Sequence, residues 1–398
     1  MTTTFPRRDN DPVPARFVLD LCVALRDEFD VTVLAPHDPD AAFAETLEGV
    51  GVRRFAYFVP RSAQFLCDGR GILPNIRTGP LGKAQAPALV LAQRFAVARL
   101  LRERRFDLVH SHWLVPSGWN TATVARRARV PHIHTLHSSD LHLLRRVPGG
   151  RGIVERILAS THALFVVSSY LKKLLEELVR RPVEATVLPM GVWAPKEASA
   201  AEHVPSAKLL YVGKLIEVKG VTHFLHAMPH VIARVPNATL DVVGGGDLSV
   251  PLQREARELG IGHAVRFHGA LPNKALAPFY AEADAVVVPS IVTPRGETEG
   301  MPVVILEALA SGCPVVASNV GSLSDAIADG VNGFLANPAD PADLADKIVQ
   351  VLTHADPAAL RRAARASGLR YDWKQIAGAY ARVYRSLLAG GQGAISSP

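Results

Sequence analysis

The chain has 398 residues, of which 48% are hydrophobic and 20% charged, so the composition excludes wholesale intrinsic disorder. Its length predicts two domains of ordinary size. No apolar run approaches the ~20 residues that a membrane-spanning helix needs, and the N-terminal stretch MTTTFPRRDNDP lacks the apolar segment of a signal peptide.

The net charge of +7 is unevenly distributed. Residues 1–190 contain 26 Lys and Arg against 18 Asp and Glu, which gives +8, whereas residues 191–398 contain 18 against 19, which gives −1. A basic first half favours anionic partners, such as a membrane surface or a phosphorylated acceptor. The alternative is that these arginines lie on solvated faces. A nucleic-acid partner is not expected, because no nucleic-acid-binding module is visible and aromatic residues make up only 6%.

Cysteine usage indicates a reducing compartment. Cys22, Cys67 and Cys313 lie far apart and form no C-x-x-C pair. This spacing argues against a disulfide framework or a zinc site and predicts a cytoplasmic protein. The simplest role for all three is that of small core residues.

Short apolar strands alternate with amphipathic helices along the whole chain. This pattern predicts doubly wound α/β domains with parallel sheets covered on both faces. Predicted strands of the first half are 31–36, 108–113, 131–137, 163–168 and 185–190; those of the second half are 208–215, 238–246, 264–269, 285–290, 314–318 and 333–336. The clearest helical segments are 14–29, 86–105 and 371–389.

The predicted organisation is a first domain over 1–190, a second over 191–370, and a C-terminal helix with a loose tail over 371–398. The segment 191–207, rich in Ala, Pro and Ser, reads as the linker between the domains. Residue 1 begins in a loop, although a doubly wound domain usually begins with a buried strand. Either the sheet lacks its first strand or the natural start lies upstream, and we expect the second.

Two carboxylates, Glu299 and Glu307, flank a Gly-Met-Pro turn and an apolar run that predicts the start of a helix. Pro302 is suited to the first helical turn, where its missing N–H is not needed. Backbone N–H groups at such a start attract anionic or hydroxyl-rich ligands. The pair is predicted to hold two parts of one elongated polar ligand. The alternative is a surface acid followed by an ordinary helix.

Lysines follow the first strand of the second half, in the segment KLIEVKG. This segment contains Lys214 and Lys219 and ends at Gly220, and it predicts an anion-binding loop at the carboxyl edge of the sheet. The alternative is a pair of solvated surface lysines. The glycines of DVVGGGD after the next strand allow close backbone approach, but they do not form the dinucleotide fingerprint.

The first half is rich in histidine, which raises the question of a metal site. The residues are His110, His112, His132, His134, His137 and His142. His132 and His134 alternate along a predicted strand and share one face, as structural residues would. His137 ends that strand and is therefore the candidate for a ligand site. No metal and no cofactor are expected.

These segments together resemble retaining glycosyltransferases of family 4. GKLIEVKG, DVVGGGD, VRFHGALPNKALAPFYAEADAVVVPS and ETEGMPVVILEALASGCPVVAS, in this order, are similar to the C-terminal domain of that family. VLDLCVALRDEFDVTVLAPH, DLVHSHWLVPSG, TLHSSDL, VVSSYLKKLLEEL and VLPMGV are similar to its N-terminal domain. The resemblance implies the GT-B fold, in which two Rossmann-like doubly wound α/β domains face each other across a cleft and the last helix crosses back to the first domain.

The resemblance also implies roles for individual residues. Lys214 and Lys219 would bind the donor diphosphate, and Glu307 would accept hydrogen bonds from the ribose. Catalytic roles fall on His137 and Glu299, which would contact the transferred sugar. The remaining donor-binding positions implied are Gly300, Met301, Pro302 and Val303 near the sugar, and Leu271 and Asn273 near the nucleobase.

The implied activity is transfer of a sugar from a nucleotide-diphosphate donor to a glycan or lipid-linked acceptor in cell-envelope or exopolysaccharide biosynthesis. It would be metal-independent, retain the anomeric configuration, and take place in the cytoplasm or on the inner face of the plasma membrane. One alternative is a synthase or phosphorylase that acts on a small soluble acceptor. Another is a non-catalytic subunit that only binds sugar nucleotides.

Besides the apparent truncation of the first strand, three departures from the family pattern bear on these roles. The segment Pro12 to Arg16, PVPAR, stands where the family has a glycine-rich loop near the phosphates. Lys214 occupies a position where the family often has arginine, so bidentate geometry is lost there. Ser138 stands where glycine is common after the histidine.

Overall fold

The computed structural model describes residues 1–7, 16–67, 72–195, 203–296 and 298–389. The chain divides into two compact units, of which the first comprises residues 1–189 together with the segment from 376 onward, and the second comprises 190–375. The first division lies beside the predicted boundary after residue 190. The second lies within the last helix, five residues beyond the predicted boundary after 370.

The first unit contains two sheets. In one, β1 (Thr32–Pro36) pairs in parallel with β3 (Val50–Phe55), and β3 pairs antiparallel with β2 (Ala44–Leu47). In the other, the parallel strands β4 (Val109–His112), β5 (His132–Leu136), β6 (Ala163–Val166) and β7 (Thr186–Val187) follow one another in chain order. The helices are α1 (Phe17–Leu25), α2 (Ile72–Arg77), α3 (Pro80–Glu103), α4 (Trp119–Ala128), α5 (Ser138–Leu144), α6 (Gly150–Leu158) and α7 (Ser169–Val179).

The pair β2–β3 does not follow the predicted alternation of strand and helix. Arg54 on β3 is buried, and its guanidinium donates to Glu45 Oε1 on β2 at 2.6 Å and to the Pro6 carbonyl oxygen at 2.8 Å. A buried charge with such partners is stable inside a protein. The apolar-run criterion failed here because charged residues interrupt the strand.

The N-terminal residues hydrogen-bond to both sheets of the first unit. The Met1 amino group donates to the His110 carbonyl at 2.7 Å, and the His112 N–H donates to the Met1 carbonyl at 3.0 Å, so Met1 lies beside β4. The Thr2 N–H donates to the carbonyl oxygen of Leu34 on β1 at 3.2 Å. Burial lowers the pKa of the Met1 amino group to about 6. Residues 1 and 2 thus lie between β1 and β4, and an upstream natural start stays a prediction.

The second unit contains one sheet of six parallel strands in the order β10-β9-β8-β11-β12-β13. The strands are β8 (Lys208–Val212), β9 (Thr239–Val243), β10 (Val265–Gly269), β11 (Ala285–Val288), β12 (Val315–Ser318) and β13 (Gly333–Ala336). The helices are α8 (Val221–Arg234), α9 (Ser249–Glu258), α10 (Ala277–Glu282), α11 (Val303–Ala310), α12 (Pro341–Leu352), α13 (Pro357–Gly368) and α14 (Trp373–Leu388). Two clusters of buried apolar side chains involve its strands and helices, which identifies a doubly wound sheet.

The final helix, α14, spans the division between the two units. Its first residues, up to 375, belong to the second unit, and residues from 376 onward group with the first. There Tyr384 and Tyr380 are buried among the strands. The Tyr384 hydroxyl lies 2.6 Å from His110 Nδ1, and the Tyr380 hydroxyl lies 3.2 Å from Thr135 Oγ1. These contacts hold the helix against β4 and β5.

The beginning of the predicted linker is packed rather than loose. Val192 is buried, its N–H donates to the Tyr371 carbonyl at 2.8 Å, and its carbonyl accepts from the Trp373 N–H at 3.0 Å. The first residues of the predicted linker are thus hydrogen-bonded to the segment in which α14 begins, and the linker itself stays a prediction. Residues 196–202 lie outside the described part of the chain.

All three cysteines are free thiols. Burial raises the pKa of the Cys22 and Cys313 thiols to about 12, and it also raises that of Cys67. Within the described residues, no helix combines the length and apolar character required to cross a bilayer.

Candidate active site

The strand order of the second unit reverses at β8, which has β9 on one side and β11 on the other. In a doubly wound sheet the crevice beyond the carboxyl ends of two such strands binds ligands, because the connecting helices leave in opposite directions. The loop after β8 carries Lys214 and Lys219, and the segment after β11 carries Glu299. Three of the residues predicted to form the site therefore lie in the two segments at which the strand order reverses.

The loop after β8 packs closely against the loop after β11. Gly220 has φ +65°, and a methyl group at its α-carbon would overlap the Pro289 carbonyl oxygen. The Ile291 N–H donates to the Val218 carbonyl at 3.0 Å. This backbone contact requires glycine and holds Lys219 beside the chain that leads to Glu299.

Lys219 and Glu299 form an ion pair, with Nζ 2.7 Å from Oε1. Both side chains are mostly buried, at 21% and 14% exposure. Burial and the nearby positive charge of Lys219 lower the pKa of Lys214. The structure therefore brings two lysines and one carboxylate together, and their binding roles remain predictions.

Glu307 lies inside α11, which begins at Val303 with Pro302 as the residue before it. The helix begins one residue later than predicted. The Tyr280 hydroxyl of α10 donates to Glu307 Oε2 at 2.7 Å. Burial, together with the charge of Glu307, raises the pKa of Tyr280. No sequence pattern points to Tyr280, since a tyrosine among the apolar positions of a helix is common in any core.

The segment between β10 and α10 carries the two residues predicted near a nucleobase. Leu271 is half-buried against the core that includes α11, and Asn273 is exposed at the start of a short 3₁₀ turn, Asn273–Ala275. Both follow the carboxyl end of β10, on the same edge of the parallel sheet as Lys219.

The histidines of the first unit lie on β4, on β5 and in the segment that follows β5. Ser111 Oγ lies 2.8 Å from both His132 Nε2 and His134 Nδ1, so these two histidines share one face, as their alternation predicts. Burial lowers the pKa of His132 to about 3 and that of His134 well below its ordinary value. Among the described residues, no group of three or more His, Cys, Asp or Glu side chains could hold a metal ion.

His137 precedes α5 and is only 7% exposed. Its Nε2 lies 3.3 Å from His112 Nδ1, and its ring packs against Trp113 and Phe17 at centroid distances of 4.7 and 5.1 Å. Burial lowers the pKa of His137 to about 3. At neutral pH the ring is a neutral hydrogen-bonding group, because one nitrogen carries a proton and the other accepts.

Asp140 lies one turn further along α5 and is buried. Its carboxylate accepts from the Leu114 N–H and from the Leu141 N–H. Burial raises the pKa of Asp140 to about 7, although these hydrogen bonds act in the opposite direction. Asp140 thus holds the turn after β4 against α5.

Two of the three departures from the family pattern fall in the first unit. Pro12–Ala15, most of the glycine-free segment, lies outside the described residues. Arg16 precedes α1 and forms ion pairs with Asp20 at 3.1 Å and Glu48 at 2.6 Å. Ser138 is the first residue of α5.

Comparison with known proteins identifies the family. Residues 206–354 match the model of the family described as glycosyl transferases group 1, and residues 14–193 match that of glycosyltransferase family 4. The glycogen synthase of Mycobacterium tuberculosis is 33% identical over 300 residues, covering 71% of this chain and 69% of the relative. This chain belongs to the family 4 glycosyltransferases.

Two further similarities cover more of this family 4 glycosyltransferase. D-inositol 3-phosphate glycosyltransferase 1 of Catenulispora acidiphila is 32% identical over 365 residues, or 82% of this chain and 84% of the relative. The structure of HepE from Anabaena in complex with UDP-glucose has a TM-score of 0.68 at 20% identity and covers 97% of this chain and 100% of that one. The predicted GT-B fold class is confirmed.

Proposed function

We propose that this glycosyltransferase moves a sugar from a nucleotide-diphosphate donor to a glycan or lipid-linked acceptor, with retention of the anomeric configuration and without a metal ion. The observation that carries the proposal is the group formed by Lys214, Lys219 and Glu299 at the reversal point of the second sheet. HepE, which has the same fold, was crystallised with UDP-glucose, which favours a UDP-sugar as the first donor to test.

The two lysines suit the departure of a nucleoside diphosphate. Glycosyl transfer proceeds through a transition state with oxocarbenium character, while negative charge grows on the leaving phosphate. Ammonium groups held in a partly buried site stabilise that charge more strongly than they would in water. In our proposal the leaving phosphate takes the proton from the acceptor hydroxyl, and Lys214 and Lys219 offset its charge.

The two acids would orient the two sugars of the donor. Glu299 and the segment Gly300–Val303, just before and at the start of α11, would bind hydroxyls of the transferred sugar. Glu307 would accept from the ribose while it keeps the hydrogen bond from Tyr280, since a carboxylate has lone pairs for several donors. Leu271 and Asn273 would border the nucleobase.

His137 would form a hydrogen bond with the transferred sugar. Its low pKa means that it is a neutral partner for a hydroxyl and not a source of positive charge at neutral pH. His112 lies beside Nε2 of His137, so in this proposal the sugar hydroxyl would bind on the Nδ1 side of the ring. We assign His137 to positioning the sugar and not to proton transfer.

The charge of the first half and the names of the relatives guide the choice of acceptor. A glycan or lipid-linked acceptor in cell-envelope or exopolysaccharide biosynthesis fits the positive charge of residues 1–190. The names of the relatives, a glycogen synthase and an inositol phosphate glycosyltransferase, favour as second candidate a synthase with a polymer or a small phosphorylated acceptor. The three free thiols support a cytoplasmic site of action.

The donor site is tested by Lys219→Ala. Loss of a charge-assisted hydrogen bond to the diphosphate should weaken binding of UDP or the preferred nucleotide by about 1.5–3 kcal/mol, roughly 10- to 150-fold. Isothermal titration calorimetry with several nucleoside diphosphates measures this effect. Lys347→Ala, on α12, is the matched control and should leave affinity unchanged. Unchanged affinity in Lys219→Ala would show that the diphosphate binds elsewhere.

Turnover separates the enzyme from a non-catalytic binding subunit. Donor hydrolysis or transfer should continue in excess chelator, and proton NMR of the product should show the anomeric configuration of the donor. Donor binding without any hydrolysis or transfer would favour the binding subunit. Loss of turnover in chelator, restored by a divalent cation, would overturn metal independence.

A further inference from the structure

Helix α3 presents a large apolar face to solvent. Leu81, Leu91 and Phe95 are 45%, 57% and 70% exposed. At 100° per residue these positions lie on one side of the helix, together with the small residues Ala84 and Ala88. From Leu81 to Phe95 the face is about 21 Å long, at 1.5 Å per residue.

The opposite side of α3 already packs against the first unit. Its buried residues include Leu89, Ala96 and Val97, which belong to or flank the core that contains β1 and β3 residues. The inner side also buries the polar residues Gln85 and Gln93. The unusual side is therefore the outer one, because a surface helix normally carries polar residues there. A contiguous exposed apolar face of this kind marks an interaction surface.

Positive charge flanks and follows the apolar face. Lys83 and Arg94 lie to one side of the apolar face, and Arg99 and Arg102 continue it toward the C-terminus of the helix. Arg104 and Arg105 come directly after the helix, which brings the number of basic residues to six. The one acidic residue of α3 is Glu103. Apolar side chains bordered by arginines are the composition of helices that lie in the headgroup region of a membrane.

We propose that this face of α3 binds the surface of an anionic lipid bilayer. Phe95 and Leu91 would insert among the acyl chains near the headgroups, and Arg99 and Arg102 would contact lipid phosphates. Since long arginine side chains can extend toward the polar layer, the apolar and basic residues can be accommodated at one depth. Lipid binding by α3 is independent of the chemistry proposed above and does not require the donor site to be assigned correctly.

Charge favours a lipid over a second copy of the chain. In a two-fold dimer through α3, each copy would present the same basic helix to the other, so Arg99 and Arg102 would face like charges. An anionic bilayer offers the complementary charge and an apolar layer beneath it. The same reasoning predicts salt-dependent binding, because exposed charges are screened at high ionic strength.

Co-sedimentation of the full chain with vesicles tests the proposal. We expect binding to phosphatidylcholine vesicles that contain phosphatidylglycerol, and at least about 10-fold weaker partition to pure phosphatidylcholine or at high salt. Leu91→Ser/Phe95→Ser should reduce the partition coefficient about 10-fold or more by removing the inserted side chains. Arg99→Glu/Arg102→Glu should reduce it comparably at low salt and much less at high salt.

The control is Val250→Ser, which changes a 76% exposed apolar residue on α9 of the second unit and should bind like the unchanged protein. Thermal unfolding and nucleotide binding of every variant show that the units remain folded. The proposal is overturned if the unchanged protein does not sediment with anionic vesicles, or if the α3 variants bind as well as Val250→Ser. It is also overturned if Leu91→Ser/Phe95→Ser abolishes a dimer in analytical ultracentrifugation without altering vesicle binding.

Discussion

Lys219 has a counter-ion within the protein, the carboxylate of Glu299. Glu299 lies 2.7 Å from the Lys219 ammonium, so an incoming diphosphate must displace that carboxylate or share the lysine with it. A partly buried pair is stronger than an exposed one, because it is less screened by water. The carboxylate that we assign to the donor sugar therefore also influences affinity for the diphosphate.

Glu299→Gln separates these two effects. The amide keeps the size of the side chain but removes the charge that competes with the phosphates, so UDP without a sugar should bind about 2- to 10-fold more tightly, by roughly 1 kcal/mol. Transfer should fall strongly, because the sugar loses a charged acceptor for its hydroxyls. Calorimetry and a transfer assay measure the two quantities. Weaker UDP binding would contradict the competition between Glu299 and phosphate.

At this scale the sequence predicts residue types better than residue partners. Lys214, Lys219 and Glu299 stand out because each belongs to a loop that follows a predicted strand. The pairing of Lys219 with Glu299, and of Glu307 with Tyr280, depends on how distant loops and helices pack. No local pattern encodes such contacts, so they emerge only from the folded chain.

The loop between β8 and α8 depends on one glycine. Gly220 has a positive φ, and an added methyl group would meet the Pro289 carbonyl oxygen. Gly220→Ala should lower the free energy of unfolding by about 1–3 kcal/mol or more, from strain and from overlap together. Denaturant unfolding measures this change.

Gly330→Ala is the matched control for the glycine substitution. It also has a positive φ, +74°, but nothing lies within 4 Å of the added methyl group. It should therefore show the conformational strain without the overlap. Equal destabilisation of the two variants would indicate that the contact with the β11 loop contributes nothing.

Elements with continuous apolar runs were predicted well, and those with interrupted runs were not. The strands β11 and β12 are buried at every position and coincide with Val-rich segments, because a parallel strand covered on both faces needs apolar residues throughout. Several of the predicted strands extend past the C-terminal ends of the observed ones. For example, the strand predicted at 238–246 includes three glycines that follow β9 (Thr239–Val243). The pair β2–β3 was missed because the burial of Arg54 depends on Glu45 and on the Pro6 carbonyl.

The first unit as a whole should be sensitive to acid. His132 and His137 have pKa values near 3 in the folded chain, and those of His110, His112 and His134 lie well below 6.5. As the pH falls below 6.5 the unfolded chain binds more protons than the folded chain, so stability decreases. The raised pKa of Asp140, about 7, makes the folded chain more stable as the pH falls. This contribution comes from one carboxyl group, whereas five imidazoles contribute in the other direction.

Differential scanning calorimetry at pH 7.5 and pH 5 measures this dependence. We expect the melting temperature to be lower at pH 5 by about 10 °C or more. Hydrogen exchange provides an internal control, because peptides of β4 and β5 should lose protection before those of β8 and β11. Equal protection of both units at the two pH values would contradict the histidine contribution.

The three native thiols should react only slowly with alkylating reagents. Each has a pKa raised by burial, so almost no thiolate is present at neutral pH. A cysteine introduced at an exposed position would therefore react with a maleimide dye long before the native residues do. Fluorophores can be attached one at a time, beside the lysine loop or along the outward side of α3, without first removing any natural cysteine.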